Sequence, residues 1–421
     1  MIKLKLHWQI LIALALAAIA GTLAGTEGAL FGVRFYAVFD FTGTLFLNAL
    51  KMLVVPLVVS SIIVGIAGNG GAFGKLGLKT LAYYLATTLL AVLVGLVIVN
   101  MVAPGMVNGE PARHLLGMSA HASEVVARVE GRDTGDLVGI FLRMVPDNIV
   151  AAAASGQMLG LIFFSLLFGY FMTKIEADYA QSMYRFWQGL FQVMMKITDW
   201  VMKFAPIGVF GLVAKVIAST GYSAFVPLFW FFISVIAGLA VHSLLVLPLL
   251  LYFVGRVNPL RHYRAMAPAL LTAFSTCSSA ATLPLTMECV EKNAGVSNRI
   301  SSFVLPLGAT VNMDGTALYE CVAAMFIAQA YGIDLGFVQQ FTIVLMALVT
   351  SIGVAAIPSA SLVAIAIILS SVGLPVEAIG LILAVDRVLD MCRTSVNVFS
   401  DACGAVIIAR LSGEKGVLGI S

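Results

Sequence analysis

Long apolar runs constrain the fold of this chain more than any other feature. Hydrophobic residues make up 61% of its 421 positions, and charged residues make up 11%. The clearest runs are 8–25, 42–67, 80–104, 157–173, 205–219 and 224–255. A run of about 20 apolar residues is long enough to span a bilayer as a helix, and soluble proteins of this size are not so poor in charge. The sequence therefore predicts an all-α integral membrane protein.

Basic residues set the predicted orientation. They cluster in every second loop, at Lys3, Lys5, Lys75, Lys79, Lys174, Arg185, Arg256, Arg261, Arg264, Arg410 and Lys415. By the positive-inside rule, this pattern places both termini in the cytoplasm. The N-terminal run lacks a convincing cleavage site, so we interpret it as an uncleaved first helix rather than a signal peptide. The polar segment 108–136 has mixed charge and predicts a mobile external loop.

A polar stripe interrupts the apolar pattern near the C-terminus, where residues 386–401 read DRVLDMCRTSVNVFSD. On a helix, its polar side chains fall within an arc of about 100°. They are Asp386, Asp390, Arg393, Thr394, Asn397 and Asp401. Ions that face lipid are costly, so the stripe is expected to face protein, water or a ligand. Two interpretations stay open, namely a buried ladder of salt bridges between helices and a binding site for a charged substrate with its co-transported ions.

Two short polar segments resemble each other. Thr276–Pro284 reads TCSSAATLP and Thr350–Pro358 reads TSIGVAAIP, so threonine and proline are eight residues apart in both. A chain that enters a membrane and turns back leaves unsatisfied backbone at its tip, which is tolerated only inside protein or beside a wet cavity. Paired broken segments are typical of the binding site of a secondary transporter. Small residues also favour close helix packing, which is the alternative interpretation.

The segment Asn312–Thr316, NMDGT, lies between these two segments in a very apolar stretch. Asn, Asp and Gly form helices poorly, so the segment predicts a break in a membrane helix. A break frees backbone carbonyls, and Asn312 and Asp314 add further oxygen atoms. Hard cations prefer oxygen ligands. The segment therefore predicts a site for a monovalent cation, with a purely structural kink as the alternative.

Glu320 follows this break by one to two helical turns and has no basic residue within a turn of it. Desolvation disfavours the charged form of such a carboxyl group. A carboxyl group that is neutral when buried and ionised when exposed can carry a proton. The alternative is a glutamate that only hydrogen-bonds a neighbouring helix.

Other functional classes fit the sequence less well. The spacings of Cys277, Cys289, Cys321, Cys392 and Cys403 match no zinc or haem motif, so we interpret these residues as small hydrophobes. No basic aromatic patch indicates nucleic acid as a partner. An anion channel is the first alternative class, although three aspartates and one arginine in the stripe make a poor path for anions.

An intramembrane enzyme is the second alternative class, with Cys277 or Ser279 as its nucleophile. A nucleophile of this kind needs a base. We expect no histidine near the hairpin or the 386–401 helix, since the nearest one along the chain is His262. We therefore expect no enzymatic activity and no organic cofactor.

The motifs TCSSAATLP, NMDGTALYE and DRVLDMCRTSVNVFSD occur in this order and resemble the glutamate/aspartate:cation symporter family. That family contains the animal excitatory amino-acid transporters and their prokaryotic relatives, and the resemblance is sharpest from 265 to 412. It implies uptake of aspartate or glutamate with sodium ions. It also implies eight transmembrane helices, two re-entrant hairpins and inverted repeats. The implied assembly is an elevator-type homotrimer in the cell inner (plasma) membrane, surrounded by lipid.

The resemblance divides the chain into a scaffold and a transport domain. The implied segments are scaffold helices at 1–78 and 137–220, transport-domain helices at 79–104 and 221–256, an external loop at 105–136 and a transport core at 257–421.

The resemblance also implies the residues of a substrate pocket. In it, Arg393 pairs with the side-chain carboxylate of the substrate, because its planar fork suits a carboxylate. Asp390 accepts hydrogen bonds from the substrate ammonium group. The remaining pocket residues would be Ser278, Ser279, Thr316, Ile357, Pro358, Ser361, Thr394 and Asn397.

Three sodium sites are implied in the same way. The first would use Asp401, Asn397 and carbonyls at Gly308, Asn312 and Met313. The second would use backbone around Thr310, Ser351 and Ile352. The third would use Tyr84, Thr87, Thr88, Asn312 and Asp314. From the residue pattern alone, Tyr84 and the two threonines are packing residues.

Two departures from the family pattern affect these expectations. The second tip reads PSAS, where relatives carry glycine near Ser361. Some relatives carry a supporting arginine at the position of Cys277 or Met391, and this chain has neither. Glu320 matches the glutamate that carries a proton in the animal relatives. The sequence does not decide whether aspartate or glutamate is preferred, nor how many ions are transported with it. A symporter that couples a dicarboxylate or glutamate to protons stays the alternative function.

Overall fold

A computed structural model describes residues 6–68, 75–116, 142, 144–155, 157–353 and 360–419. The chain is mostly helical in these ranges. In chain order, the α-helices are α1 (Leu6–Ala24), α2 (Phe35–Gly68), α3 (Lys75–Val102), α4 (Ile149–Ala154), α5 (Met158–Met172), α6 (Ala177–Met202), α7 (Ala205–Thr220), α8 (Phe225–Val241), α9 (Leu247–Phe253), α10 (Pro259–Thr276), α11 (Ser279–Glu288), α12 (Asn298–Val311), α13 (Asp314–Tyr331), α14 (Phe337–Gly353), α15 (Ala360–Val372) and α16 (Ile379–Leu411).

Four helical stretches in the described ranges are long and apolar enough to cross a membrane. They are Phe35–Gly68, Leu76–Val102, Ala205–Phe253 and Val376–Leu411. The last contains the polar stripe, and 83% of its most apolar window is buried, against 33% to 44% for the others. The polar helix therefore lies inside the protein, while the apolar helices expose many large side chains, as a lipid-facing surface requires. The prediction of a helical chain with membrane-length segments is confirmed.

Helix α6 was not among the predicted apolar runs, because it is amphipathic. Its buried residues are Met194, Thr198, Val201 and Met202, which lie on one face of the helix. That face packs against α2. A search for continuous apolar runs misses a helix whose polar residues occupy the opposite face.

The segment after α3 is folded where the structure describes it. Met106–Val107 and Glu110–Pro111 form a short antiparallel pair of strands. Leu116, which follows them, is buried, and the backbone N–H of Gly105 donates to Oε1 of Gln329 on α13 at 3.3 Å. Residues 108–116 are therefore folded, while their place in a mobile external loop stays a prediction. The rest of the predicted loop, 117–136, lies outside the described residues.

The first matched segment forms a helix–turn–helix. Helix α10 ends at Cys277, which adopts the left-handed conformation with φ 53° and ψ 35°. Ser278 then caps α11, and its Oγ accepts a hydrogen bond from the N–H of Ala281 at 3.2 Å. A left-handed residue followed by an N-cap reverses the chain sharply, so α10 and α11 pack against each other.

The second matched segment is described only on its two sides. Helices α14 and α15 flank residues 354–359 and pack against each other. The predicted tip residues Ile357 and Pro358 lie outside the described residues.

The predicted break at NMDGT is confirmed, but it is narrower than expected. Helix α12 ends at Val311, and only Asn312 (φ −101°, ψ 93°) and Met313 (φ −120°, ψ 54°) are non-helical. Asp314 begins α13, because an acidic side chain at a helix start interacts favourably with the free N–H groups of the first turn. The carbonyl end of α12 and the N–H end of α13 therefore meet in the interior of the protein.

Helix α13 forms the centre of the fold. Almost all of its residues are buried, and it packs against α3, α8, α14, α15 and α16. This arrangement brings the break before α13 against the polar stripe of α16 and the middle of α3. The candidate site lies where these three elements meet.

Candidate functional site

The polar stripe of α16 forms a cluster of charges around Arg393. The Arg393 side chain is only 1% exposed, with Nη1 at 3.1 Å from Oδ1 of Asp386 and Nη2 at 2.9 Å from Oδ1 of Asp390. Its guanidinium carbon lies 3.9 Å from the centre of the Tyr319 ring. A buried cation needs charge partners, and here two carboxylates and an aromatic face provide them. The helical spacing of three and seven residues puts all three charged groups on one face.

One hydrogen-bond donor of this cluster is unused. The Nε of Arg393 is buried and has no hydrogen-bond partner among the described residues. A buried N–H without an acceptor is unfavourable, so the position suits an acceptor supplied by a ligand. The Asp386 side chain is 10% exposed and that of Asp390 is 21% exposed. The cluster is therefore more open on the side of Asp390.

A second arginine lies at that open side. Nη1 of Arg387 is 3.4 Å from Oδ2 of Asp390, which is one helical turn further along α16. Positions 277 and 391, where some relatives carry a supporting arginine, are Cys277 and Met391 in this chain. A different arginine, Arg387, lies beside Asp390, and comparison of positions 277 and 391 alone did not indicate it.

Asn397 connects α16 to the first turn of α13. Its Oδ1 accepts a hydrogen bond from the N–H of Gly315 at 2.8 Å. Its Nδ2 donates to Oγ1 of Thr316 at 3.1 Å and also contacts Sδ of Met313 at 3.1 Å. The amide therefore holds the helix break and the stripe in one unit. Thr394 donates instead to the carbonyl of Asp390 in its own helix, at 2.8 Å.

The predicted pocket residues in the paired segments lie at helix starts. Ser278 caps α11, and Ser279 is buried. Ser361 is buried in the first turn of α15, and its Oγ has no partner among the described residues. No hydrogen bond joins these serines to the Arg393 cluster in the described part of the chain. Helix α10 does lie along α16, where Oγ of Ser395 donates to the carbonyl of Leu270 at 3.0 Å.

A second cluster, around Asp314, is rich in oxygen atoms and fully buried. Oδ1 of Asp314 accepts a hydrogen bond from Thr88 at 2.8 Å, and Oδ2 accepts one from Ser400 at 2.6 Å. Nε2 of His242 lies 2.9 Å from the same Oδ2. All of these side chains are at most 3% exposed. A buried carboxylate that gathers three polar partners can bind a cation if those partners rearrange.

Asn312 links this cluster to Asp401. Its Nδ2 donates to Oδ1 of Asp401 at 2.9 Å and to Oγ of Ser400 at 3.0 Å. Its Oδ1 lies 3.3 Å from Oγ1 of Thr87 on α3. The structure thus brings Thr87 and Thr88 to the break from a distant helix, together with Tyr84, whose hydroxyl donates to the carbonyl of Val304 at 2.8 Å. The interpretation of the threonines as packing residues, made from the pattern alone, is wrong.

Gly308 on α12 leaves the space that the side chains of Asp401 and Tyr84 occupy in this cluster. A Cβ atom at this position would lie 2.5 Å from Oδ1 of Asp401 and 2.6 Å from the hydroxyl oxygen of Tyr84. These distances are far below van der Waals contact, so only glycine lets the two polar side chains approach α12.

We expect Gly308→Ala to lower the melting temperature of the purified protein, because the methyl group forces Asp401 or Tyr84 to move. Overpacking of this kind costs about 1–3 kcal/mol. Gly65→Ala is the matched control, since a Cβ at Gly65 in α2 meets no atom within 4 Å. Equal melting temperatures for the two variants would contradict the close approach described here.

The residues expected around a backbone cation site are engaged locally. Oγ1 of Thr310 donates to the carbonyl of Leu307 at 2.9 Å and is exposed. Oγ of Ser351 is buried and donates to the carbonyl of Leu348 at 2.9 Å. Ile352 lies in the last turn of α14. These hydrogen bonds within single helices do not test the cation site expected near Thr310, Ser351 and Ile352, which stays a prediction.

Glu320 is fully buried in α13. Its Oε2 accepts a hydrogen bond from Oγ1 of Thr350 at 2.9 Å, while Oε1 has no partner among the described residues. No basic side chain pairs with it in that part of the chain. The geometry fits a neutral carboxyl group, whether or not the proton is transported.

Two histidines are closer to the site than the sequence indicated. His242 is fully buried in a π-helical turn, His242–Val246, that carries it to Asp314. A lone histidine in an apolar segment is a visible signal, but its partner lies 72 positions away. His262 is also buried, and its ring centre is 5.4 Å from that of Phe399 on α16. The expectation that no histidine lies near this helix is therefore wrong.

The candidate nucleophiles gain no base from these histidines. Among the described residues, neither Cys277 nor Ser279 forms a hydrogen bond with a histidine. Sγ of Cys277 lies 3.9 Å from the carbonyl of Phe274. All five cysteines are free, and Cys289, Cys321 and Cys403 are buried. This environment fits small packing residues.

Residues 6–411, from the start of α1 to the end of α16, match the sodium:dicarboxylate symporter family. The chain is 38% identical to excitatory amino acid transporter 3 of Mus musculus, over 98% of this chain and 87% of that protein. It is 36% identical to the proton/glutamate-aspartate symporter of Escherichia coli, over 99% of this chain and 98% of that protein. It is also 36% identical to the proton/sodium-glutamate symport protein of Geobacillus stearothermophilus, over 98% of this chain and 96% of that protein. The resemblance inferred from the three motifs is confirmed, and the chain belongs to the sodium:dicarboxylate symporter family.

Proposed function

We propose that this protein is a secondary active symporter that takes up aspartate or glutamate together with sodium ions. One observation carries the proposal: a buried arginine with an unused donor lies beside a partly open aspartate in a membrane-length helix. This pair offers one cation and one anion to a ligand that has a carboxylate and an ammonium group. The names of the relatives, which include glutamate and aspartate symporters, support the same substrate class.

Substrate binding requires an exchange of partners in the Arg393 cluster. The side-chain carboxylate of the substrate takes a bidentate position on Arg393, and Asp390 turns from Arg393 to the substrate ammonium group. Thr316 and Asn397 supply further polar contacts beside the helix break. The N-terminal ends of α11 and α15, with Ser278, Ser279 and Ser361, would close over the substrate, together with Ile357 and Pro358.

Sodium ions would occupy the second cluster and its neighbours. Asp314 and Asp401 supply negative charge, and Tyr84, Thr87, Thr88 and Asn312 supply neutral oxygen atoms. The carbonyls of Gly308 and Met313, together with Asn397, complete these sites, and a further site would use backbone near Thr310, Ser351 and Ile352. Several of these groups are hydrogen-bonded to one another, so an entering ion would replace hydrogen-bond donors and would not need a new cavity.

The two clusters share one structural element, which supports coupling between ion and substrate. Asp314 begins α13, and the next residue, Gly315, is hydrogen-bonded to Asn397 of the substrate stripe. An ion that fixes Asp314 therefore also fixes the turn that positions Thr316 and Asn397. Coupling of this kind is reciprocal, so sodium raises the affinity for substrate and substrate raises the affinity for sodium.

The contacts between helices support an elevator mechanism. Helix α2 packs against α5, α6 and α7, and α1 packs against α7. In a second group, α3, α8, α14, α15 and α16 pack against α13, and α10–α12 join this group through α16. The first group would be the scaffold (1–78 and 137–220), and the second would be the transport domain (79–104 and 221–421). In this proposal the segments α10–α11 and α14–α15 are re-entrant hairpins among eight transmembrane helices. Three copies assemble in the plasma membrane with cytoplasmic termini.

Uptake of labelled aspartate and glutamate into proteoliposomes, under imposed Na⁺, H⁺ and K⁺ gradients, tests the proposal. We expect saturable uptake that accumulates substrate against its gradient only when sodium is supplied outside. Flux that neither saturates nor accumulates substrate would indicate a channel and contradict the proposal. Accumulation driven by a proton gradient without sodium would indicate the second candidate, a proton-coupled symporter, which the buried carboxyl group of Glu320 favours.

Glu320→Gln tests whether this carboxyl group carries a proton. We expect the variant to keep sodium-dependent binding and exchange but to lose the dependence of net transport on pH, because glutamine keeps the hydrogen bond to Thr350 and cannot bind a proton. The measurement is uptake across a pH series, with the luminal pH recorded by a trapped dye. If the wild-type protein takes up substrate without acidifying the lumen, Glu320 is structural and transport is coupled to sodium alone.

A further inference from the structure

Asp390 is shared between two arginines, and the established family membership does not explain the second one. One oxygen of Asp390 faces Arg393 at 2.9 Å, and the other faces Arg387 at 3.4 Å. The Arg387 side chain is 25% exposed, and its Nε is buried with no partner among the described residues. Exposed ion pairs contribute little, and the pair of Lys292 and Glu288 in this protein is of that kind, at 73% and 53% exposed. The Arg387 pair is much more enclosed.

The first argument for a role of Arg387 is the net charge of the cluster around Arg393. Asp386, Asp390 and Arg393 together carry a net charge of −1, which would repel an acidic amino acid that is itself a net anion. Arg387 makes the four-residue cluster neutral. Like charges repel strongly in a partly desolvated site, so neutrality before binding favours the entry of an anionic substrate.

The second argument for a role of Arg387 is the exchange of partners between Arg393, Asp390 and the substrate. To bind substrate, Arg393 must release Asp390, and Asp390 must stay in place to receive the ammonium group. Without another cation, Asp390 is expected to hold Arg393 more tightly and so to compete with the substrate carboxylate. Arg387 contacts the oxygen of Asp390 that Arg393 does not use. It can therefore retain Asp390 while Arg393 turns to the substrate.

We propose that Arg387 is a positioning residue for the substrate: it holds Asp390 towards the ammonium group and frees Arg393 for the carboxylate. The inference rests on the proposed function, because it assumes an acidic amino acid as the substrate. It assigns to this chain a determinant of substrate affinity at a position of the 386–401 motif to which the family resemblance gave no role.

The test is sodium-dependent binding of labelled aspartate and glutamate to the purified full-length protein. We expect Arg387→Gln to weaken binding of the preferred substrate by about tenfold, since close charge pairs in partly desolvated sites are worth at least that factor. Arg387→Lys keeps the charge and should recover most of the affinity. Arg410→Gln is the matched control, because Arg410 lies at the end of the same helix and donates to the carbonyl of Glu414.

Two further measurements separate positioning from a structural role. Sodium binding without substrate and the melting temperature should stay at wild-type values in Arg387→Gln, whereas a structural role would lower both. In an Asp390→Asn background, Arg387→Gln should cause no further loss of affinity, because the residue acts through Asp390. If Asp390→Asn binds no substrate at millimolar concentration, the comparison of Arg387→Gln with Arg387→Lys decides.

Each outcome supports or overturns a defined statement. Wild-type affinity in Arg387→Gln, or an equal loss in Gln and Lys variants accompanied by a lower melting temperature, overturns the positioning role alone. A wild-type protein that binds neither aspartate nor glutamate in sodium overturns the proposed function, and the positioning role falls with it.

Discussion

Replacing Arg393 with cysteine is expected to weaken aspartate binding by a few hundred-fold or more. The side chain is 1% exposed and holds two carboxylates through separate nitrogen atoms. Without it, a bound substrate carboxylate is buried beside Asp386 and Asp390 with no cation among them. Removing one partner of a buried ion pair costs about 3–5 kcal/mol, which corresponds to that loss of affinity. The measurement is sodium-dependent binding of aspartate to the purified variant.

The same variant should change which substrates are accepted. Serine and cysteine carry no side-chain charge, so the repulsion that excludes aspartate from Arg393→Cys affects them less. Binding of both neutral amino acids is therefore measured beside aspartate, with Arg410→Cys as the control for loss of an arginine from the same helix. An unchanged affinity for aspartate in Arg393→Cys would remove Arg393 from the substrate site.

The parts of the site that follow one helix could be predicted from the sequence. The spacing of Asp386, Asp390 and Arg393 places their charges on one face of any helix. The structure confirms that helix and pairs the three side chains. The break before α13 was predictable for a similar reason, because helix-breaking residues in an apolar run leave a local signal.

Contacts between distant segments could not be predicted from local pattern. Thr88 and Asp314 are 226 positions apart, and nothing in the spacing of either residue indicates the other. The family resemblance suggested that contact, whereas residue periodicity suggested only packing. His242 shows the same limit, since a π-helical turn changes the face on which it lies and periodicity assumes a regular helix.

Arg387 shows a different limit. It lies inside the DRVLDMCRTSVNVFSD motif, but the role proposed for it depends on which oxygen of Asp390 is already occupied. That information is geometric, because a spacing of three residues fits both a surface ion pair and an enclosed one. Only the exposure of the two side chains separates these cases.

Removing the charge of Asp314 or Asp401 is expected to reduce the dependence of substrate binding on sodium. Each carboxylate supplies a full negative charge to a group of otherwise neutral oxygen atoms, and both are buried. A buried cation without an anion is strongly disfavoured, so Asp314→Asn and Asp401→Asn should each need at least about tenfold more sodium for half-maximal aspartate binding. Asp334→Asn, at an exposed aspartate after α13, is the matched control.

The two variants should differ in stability, which separates ion binding from packing. The Asp314 carboxylate contacts the side chains of Thr88, His242 and Ser400. In Asp314→Asn, an amide nitrogen in the position of Oδ2 would face the hydroxyl group of Ser400, which donates to that oxygen in the wild-type protein. Among the described residues, Asp401 accepts one side-chain hydrogen bond, from Asn312. We therefore expect Asp314→Asn to lower the melting temperature without sodium more than Asp401→Asn does, because it leaves more buried polar groups unsatisfied.

Sodium dependence, measured apart from stability, decides the assignment. If aspartate binding to both variants keeps the wild-type sodium dependence, the charges of Asp314 and Asp401 do not serve cations. The buried carboxyl group of Glu320 would then be the remaining candidate for ion coupling in α13, and a proton would be the coupled ion. The sodium dependence can instead fall in both variants while only Asp314→Asn loses stability. The loss of coupling is then caused by the missing charge and not by lower stability. That result is expected if two cation sites are joined by Asn312.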